Sequence, residues 1–394
     1  MTRHCDVLVV GGGPAGATLA ALAAGRGSDV VLVERARFPR DKVCGEFLSA
    51  EGRRVVERLG LLDELLSRGC VPMGACRITA ADGTRIDAEL PDLGPAGRDG
   101  LGVSRELLDL LLLDLARDSG ARVLTRHDAF EPLLEGGRVR GYRVRPVGGV
   151  DRSFELRARV VVAADGRRSG LVRRLHPRKA DPSTTASASR FGLKVHLDTD
   201  PERLAGRIEL HLFDGGYAGI GAVEGGRVNL CMLTNVRALR ACGGSPDRLL
   251  LERVLANAAA RRVIGDGKAC GRWHSVGPLR WGTRRPEARG AFFLGDAAGT
   301  IDPFCGEGMS NALRSAEIAL PHVLRAIEAD ADDETCRRAY ARQWHRAFGP
   351  VTRRVRNVGR LLERPRLAAP VLRLLTGPGV AWVPRLIEST RTDG

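Results

Sequence analysis

Three glycines near the N-terminus, Gly11, Gly13 and Gly16 in GGGPAGA, stand at G-x-G-x-x-G spacing, and Glu34 follows 21 residues after Gly13. The first glycine of such a pattern allows a tight turn. The second lets the backbone approach a pyrophosphate, and the third permits close helix packing. Pro14 and Ala15 would open the helix, whose free N–H groups and dipole favour an anion. Glu34 can accept a bond from a ribose hydroxyl, with Arg35 beside it. With an apolar run before the glycines and another ending at Glu34, the pattern predicts dinucleotide binding.

Two later segments carry acids at the ends of apolar runs. VVVAADGRRSG places Asp165–Gly166 after one of them. AFFLGDAAGTIDPFCGEGM places Gly295–Asp296 after the other, followed by Pro303, Gly306, Gly308 and Met309. An acid at a strand tip can hold the hydroxyls of an extended ribityl chain. The N-terminus of the helix that follows can stabilise negative charge on a reduced flavin. In DKVCGEFLS, Cys44 precedes Gly45 and could donate a proton or serve as a small buried hydrophobe. Cys305 in DPFCGEG could approach the same place. The histidines show no HxxxH or carboxylate pairing, the nine cysteines show no CxxC, and no GxSxG occurs, so no metal site is expected. Catalysis would rest on an organic cofactor, with the protein orienting substrate and excluding water.

These residues need elements to position them. Apolar runs at 5–10 and 29–34 read as buried parallel strands, with a small-residue helix between them that stops at Gly27. Helical patterns follow at 50–66 and from Ser104, a predicted N-cap, to Gly120. Hairpin strands lead into a buried strand at 160–164. GRIELHLF, YAGIGAV and RVNLCML, separated by DGG and EGG, read as an antiparallel meander. A long helix is expected from about Gly308, ended or kinked by Pro321. The expected division is a discontinuous cofactor domain (1–75, 100–185 and 270–330), a substrate domain (76–99 and 186–269) and a basic helical C-terminal region (331–394).

The 394 residues are 43% hydrophobic and 28% charged, as in a globular protein. No run approaches the roughly 18–20 apolar residues of a membrane span, and the scattered thiols and lack of a leader pattern suggest the cytoplasm. The formal charge of +15 invites a nucleic-acid partner, yet only four basic residues are lysines and aromatics make up 4%, so no nucleic-acid role is expected. From Arg337 onward, thirteen arginines face only Glu363, Glu388 and Asp393. That region could show water a basic face, or contact an anionic membrane surface or a carrier protein.

The three motifs in this order, GGGPAG, ADGRRS and LGDAAG with P-x-x-G-x-G, resemble the FAD-dependent monooxygenases of the para-hydroxybenzoate hydroxylase type and their relatives, the geranylgeranyl reductases. The resemblance runs from residue 5 to about 320. It implies an α/β fold, with a Rossmann-type, glutathione-reductase-like FAD-binding lobe, an antiparallel β-sheet substrate lobe and a helical C-terminal tail. It implies FAD as cofactor, with Glu34 at the adenosine ribose and Arg105 in VSRELLD at the adenine-side part. Asp296 would hold the ribityl chain, Pro303 to Met309 would line the isoalloxazine ring, and Asp165 would serve the second motif. No second G-x-G-x-x-G is placed for a resident nicotinamide, so NAD(P)H would visit transiently or another external donor would supply electrons.

DKVCGEFLS is similar to the K-x-C-G segment of the geranylgeranyl reductases, which makes Cys44 and Gly45 candidates to lie beside the flavin. Those reductases also carry a Y-x-W-x-F-P strand, whereas this chain has YAGIGAVEGGRVN, keeping only Tyr217 as a proton donor or packing residue. The expected activity is monooxygenation of a hydrophobic small molecule of specialised metabolism through a flavin hydroperoxide. Flavin-dependent reduction of a carbon–carbon double bond is the alternative. Halogenation is disfavoured because the four tryptophans never form W-x-W-x-x-P.

Overall fold

A computed structural model describes residues 2–90, 100–149, 152–175, 190–279, 281–283, 285–328, 333–362 and Arg373. Its first sheet has eight strands, and its central four run parallel to one another: Ala291–Phe293, Phe154–Ala163, Thr2–Val10 and Val30–Glu34, with Arg122–Thr125 continuing parallel beyond Val30–Glu34. Val7–Val10 and Val30–Glu34 are buried throughout, so these strands read as unbroken apolar runs rather than alternating ones. Phe154–Ala163 divides its outer edge between two partners. Its first half pairs antiparallel with Arg138–Pro146, and Val161–Ala163 pair parallel with Ala291–Phe293. One strand thereby aligns the Ala164–Asp165 turn with the Gly295–Asp296 turn.

The helix Pro14–Ala24 packs against both Arg105–Asp118 and Gly308–Glu328. Its alanines and glycine are buried nearly all round, which lets two larger helices approach closely. Arg105–Asp118 buries Leu108, Leu111, Leu112 and Leu113, each worth about 1.5–3 kcal/mol of apolar transfer. Ser104 caps it as expected, its hydroxyl accepting from the Leu107 N–H at 3.1 Å.

A second sheet of seven strands runs in the order Lys268–Leu279, Arg190–Asp198, Arg227–Asn235, Gly216–Val223, Arg207–Phe213, Ala75–Thr79 and Arg85–Glu89. All pairings are antiparallel except Arg207–Phe213 with Ala75–Thr79. Lys268–Leu279 thus joins the antiparallel lobe, across the boundary expected at 270. Along Arg190–Asp198, Leu193, Val195 and Leu197 enter the apolar core of this lobe. By strand alternation, Gly192, Lys194 and His196 point to the opposite face.

One helix expectation needs correction, and of the two effects expected of Pro321 the ending of its helix does not occur. The stretch 50–66 breaks into Ala50–Arg58 and Leu62–Ser67, because Gly60 takes φ +75° and turns the chain. Gly308–Glu328 continues through Pro321, which lies exposed, while the buried stripe continues on either side from Leu313 and Ala316 to Val323 and Ala326. Packing of that stripe outweighs the missing backbone donor. No helix among the described residues is long and apolar enough to cross a membrane. Most of the arginine-rich segment after 362 lies outside the described residues.

Asp333–Leu362 packs on Gly308–Glu328 and buries Tyr340, whose hydroxyl donates to the Phe293 carbonyl at 2.7 Å. This bond ties the last helix to the strand that presents Gly295–Asp296. Tyr340→Phe leaves a buried carbonyl without its hydroxyl donor and is expected to lower stability by about 1–3 kcal/mol in urea unfolding. An unchanged midpoint would show the bond to be dispensable.

Candidate active site

The glycine loop sits where the parallel strands end. Gly11 takes φ +106°, and a side chain there would begin 2.5 Å from the Ala164 carbonyl oxygen. At Gly16 a Cβ would lie 1.9 Å from the Gly11 carbonyl oxygen. Gly13 differs: its nearest neighbours in that direction are Nη2 of Arg40 at 3.8 Å and Nη2 of Arg105 at 3.9 Å. Two guanidinium groups therefore face the second glycine at the N-terminus of Pro14–Ala24, a donor set that fits a pyrophosphate. Glu34 closes the other side of the loop, accepting from the Gly12 N–H at 2.8 Å and the Ala36 N–H at 2.7 Å. Arg35 is exposed and forms no part of the cleft wall.

Arg105 and Arg40 share one carboxylate. Arg105 binds both oxygens of Asp109 at 2.8 and 2.7 Å, and Arg40 reaches Asp109 at 2.8 Å. Burial opposes the charge on Arg105, but Asp109 and the nearby Cys44 outweigh it and hold the guanidinium firmly protonated. Sequence reasoning named Arg105 and missed Arg40. The available signal was the i,i+4 spacing of Arg105 and Asp109, an acid that a buried helix face retains only for a cation.

The other end of the cleft is built by the late turns. Gly295 takes φ +53° and its N–H donates to the Ser315 hydroxyl at 2.9 Å. Asp296 lines the cleft with Arg167 3.7 Å away. Pro303, Gly306, Gly308 and Met309 also line it, as does Phe304, and Gly308 opens the 21-residue helix there. Asp165 lies off the wall. It accepts from the Gly170 N–H at 3.0 Å and closes the turn that brings Gly166 and Arg167 onto the wall. Burial pushes the Cys305 thiol well up, and its Sγ donates to the Asp302 carbonyl at 3.3 Å.

This cleft is continuous with a cavity roofed by the antiparallel sheet, the two together enclosing about 1820 Å³ including the space open to solvent. Strand register explains its two-toned surface. His274, Lys194, Cys231, Gly219, Leu210 and Ile78 form one cross-strand row, polar at one end and apolar at the other. Ile208 and Leu90 extend the apolar half. Tyr217 belongs to that half and meets Phe304 edge-on at 5.7 Å, which fits a packing role. Burial also pushes the Cys231 thiol up to about 12.

The segment 41–46 crosses between cleft and sheet, bringing Lys42, Val43, Cys44 and Gly45 to the wall. Cys44 is half-buried, and its Sγ accepts from the Glu46 N–H at 3.4 Å. Beneath it, Lys194 Nζ donates to Asp41 at 2.5 Å and to Glu46 at 2.6 Å, and His196 Nε2 lies 2.7 Å from the second Glu46 oxygen. Lys194, Glu46 and His196 were not singled out from sequence. Their signal was a polar pair, Lys194 and His196, interrupting the leucine–valine alternation of FGLKVHLD. Among the described residues no group of His, Cys, Asp and Glu could hold a metal.

Arg40→Ala should weaken FAD retention roughly tenfold or more, because a charge-assisted contact to the phosphates is lost; fluorescence titration of the apoprotein measures it. Unaltered affinity would remove Arg40 from the cofactor site. The Lys194–Asp41 pair predicts a pH dependence. Burial opposes both charges, but the carboxylates raise the Lys194 pKa and Lys194 lowers that of Asp41. The raised lysine contributes stability that is full below its ordinary value of 10.5 and lost as pH climbs through the higher folded value. The depressed aspartate contributes stability that is full above its ordinary 3.8 and lost as pH falls through the lower folded value. Asp41→Asn should flatten the acid limb of a stability–pH curve; an unaltered acid limb would contradict the pairing.

Residues 4–347 match the family described as FAD binding domain. Digeranylgeranylglycerophospholipid reductase 2 of Methanopyrus kandleri is 30% identical over 363 residues, covering 87% of this chain and 83% of that protein. Among solved structures, a geranylgeranyl bacteriochlorophyll reductase-like protein from Thermoplasma acidophilum superposes with a TM-score of 0.79 at 21% identity, over 99% of this chain and 95% of its own. A flavin-dependent brominase superposes with a TM-score of 0.78 at 17% identity, over 99% and 95%. At these identities the structures speak for the fold, which hosts more than one reaction. The glycine loop and its two guanidiniums lie inside the matched residues, and the chain belongs to this FAD-binding family as an FAD-dependent oxidoreductase.

Proposed function

We propose that this oxidoreductase reduces a carbon–carbon double bond in a long apolar chain of isoprenoid type. The observation that carries the reading is the position of Cys44–Gly45 on the wall of the cavity that the cofactor cleft and the apolar residues share. No protein atom lies within 4 Å of where a Cβ on Gly45 would stand, and its φ is not left-handed. Nothing in the fold requires glycine there, whereas a ligand passing close to the loop would. The Methanopyrus relative, a reductase of a geranylgeranyl-bearing lipid by its name, supports the same chemistry. Oxygen insertion would use the same cleft, but it gives Cys44 and Gly45 no task.

In this reading, Gly13, Arg40 and Arg105 hold the pyrophosphate, Glu34 the ribose and Asp296 the ribityl chain. FAD, when bound and reduced, supplies a hydride. The N-terminus of Gly308–Glu328 would favour negative charge on a flavin held in the cleft. Ile78, Leu90, Ile208 and Leu210 seat the apolar substrate and exclude water. Tyr217 and Phe304 hold the wall between substrate and cofactor. Cys44 delivers a proton from Sγ to the carbon that does not receive the hydride, so both carbons gain one hydrogen. Water entering through the mouth restores that proton. NAD(P)H or another external donor recharges the cofactor. Exposed Arg338, Arg342, Arg346, Arg353 and Arg354 on Asp333–Leu362 offer a basic face to an anionic membrane or carrier that presents the substrate.

The reading predicts a split between two variants with FAD retained. Cys44→Ala should lower turnover on a geranylgeranyl lipid about 100-fold, as loss of a general acid does. Gly45→Ala should leave thermal stability unchanged and raise KM about tenfold or more by crowding the substrate. Wild-type kinetics in both variants would overturn the assignment of the junction.

A further inference from the structure

The junction loop hangs from one buried ammonium. Asp41 and Glu46 bracket the residues 42–45, and both carboxylates end on Nζ of Lys194, whose side chain is fully buried. The same face of the sheet holds the loop at three more points. His196 Nε2 meets the second Glu46 oxygen at 2.7 Å, Asn229 Nδ2 donates to the Cys44 carbonyl at 3.1 Å, and a Cβ on Gly192 would touch Val43 at 3.1 Å. His274 faces the second oxygen of Asp41 at 3.6 Å.

The cofactor lobe grips the loop from the opposite side. The Glu46 carboxylate accepts from the Arg105 N–H at 2.8 Å, and its carbonyl accepts from the Val103 N–H at 3.0 Å. Glu46 takes φ +54°, a left-handed conformation that a residue with a side chain keeps only where its surroundings enforce it. A buried lysine facing two carboxylates is an arrangement whose merit is geometry more than stability. Lys194 is fully buried and is not itself among the residues lining the cavity, so it reaches the wall only through the loop it holds.

We propose that Lys194 is a positioning residue: through Asp41 and Glu46 it fixes the height of Cys44–Gly45 between the cofactor cleft and the apolar pocket. The proposal rests on the reductase reading for what that height accomplishes, but its test needs no substrate. Cys44 presented at one height is a thiol with restricted access, and releasing either anchor lets the loop open.

The experiment is alkylation of the FAD-loaded protein by iodoacetamide, followed by mass spectrometry of the Cys44 and Cys336 peptides. Rates are compared at their high-pH plateau, where the thiol is fully ionised and loss of a nearby cation no longer alters the thiolate fraction. Lys194→Met is expected to raise the Cys44 rate roughly tenfold or more, with Cys336 on the helix Asp333–Leu362 unchanged. Asp41→Asn, which frees one anchor and keeps the Glu46–Lys194–His196 contacts, should raise it less. If Lys194→Met does not fold, the Asp41→Asn rates decide alone. An unchanged Cys44 rate in a folded variant, or an equal rise at Cys44 and Cys336, would overturn the proposal. Failure of the reductase reading would look different: wild-type protein inert toward alkenes, with the alkylation contrast intact.

Discussion

One buried carboxylate holds the two lobes in register. Glu46 takes bonds from Lys194 and His196 of the antiparallel sheet and from the backbone of Arg105 at the head of a cofactor-lobe helix. A carboxylate sealed from water must be matched by donors, since desolvation costs more than any single bond returns. Those donors come from two stretches far from residue 46 and from each other, Arg105 and 194–196, so the charge can be satisfied only when the lobes have met. The loop carrying Cys44 is therefore placed by an electrostatic requirement rather than by its own propensity.

The cofactor cleft follows a different logic. Its floor is made by close backbone approaches at Gly11 and Gly16, and its walls by the ends of parallel strands that share Phe154–Ala163 as a common neighbour. Charge enters through Asp109, which is buried and orients Arg40 and Arg105 together toward Gly13. The sheet face over the cavity is apolar where strands Arg207–Phe213 and Ala75–Thr79 supply Leu210, Ile208 and Ile78, and polar where Lys194 and His274 meet the 41–46 loop. A single sheet face thus separates the substrate wall from the machinery that holds the loop, and register alone sets the dividing line.

What could be read in the sequence was whatever is decided locally. The glycine spacing, the Ser104 cap and the Gly295–Asp296 turn each depend on a few neighbouring residues. The break at Gly60 was equally local, a glycine whose left-handed turn cuts a helical pattern. Pro321 misled because its cost is local while the packing that overrides it is not. Arg40 and the Lys194 cluster were hidden for the same reason: their partners lie on other elements, and only strand register reveals that Lys194 and His274 are neighbours. In Arg190–Asp198 the polar residues at 194 and 196 were visible as exceptions, but the loop they hold was not.

Hydride transfer to carbon is the step that separates the proposed alkene reduction from oxygen insertion. Anaerobic mixing of the fully reduced holoenzyme with a geranylgeranyl lipid tests it most directly, following flavin absorbance and the mass of the lipid in a single turnover. Alkene reduction requires oxidation of the flavin without oxygen, matched by lipid that has gained two hydrogens. Flavin that stays reduced until oxygen is admitted, with an oxygen atom then found in the lipid, would contradict it.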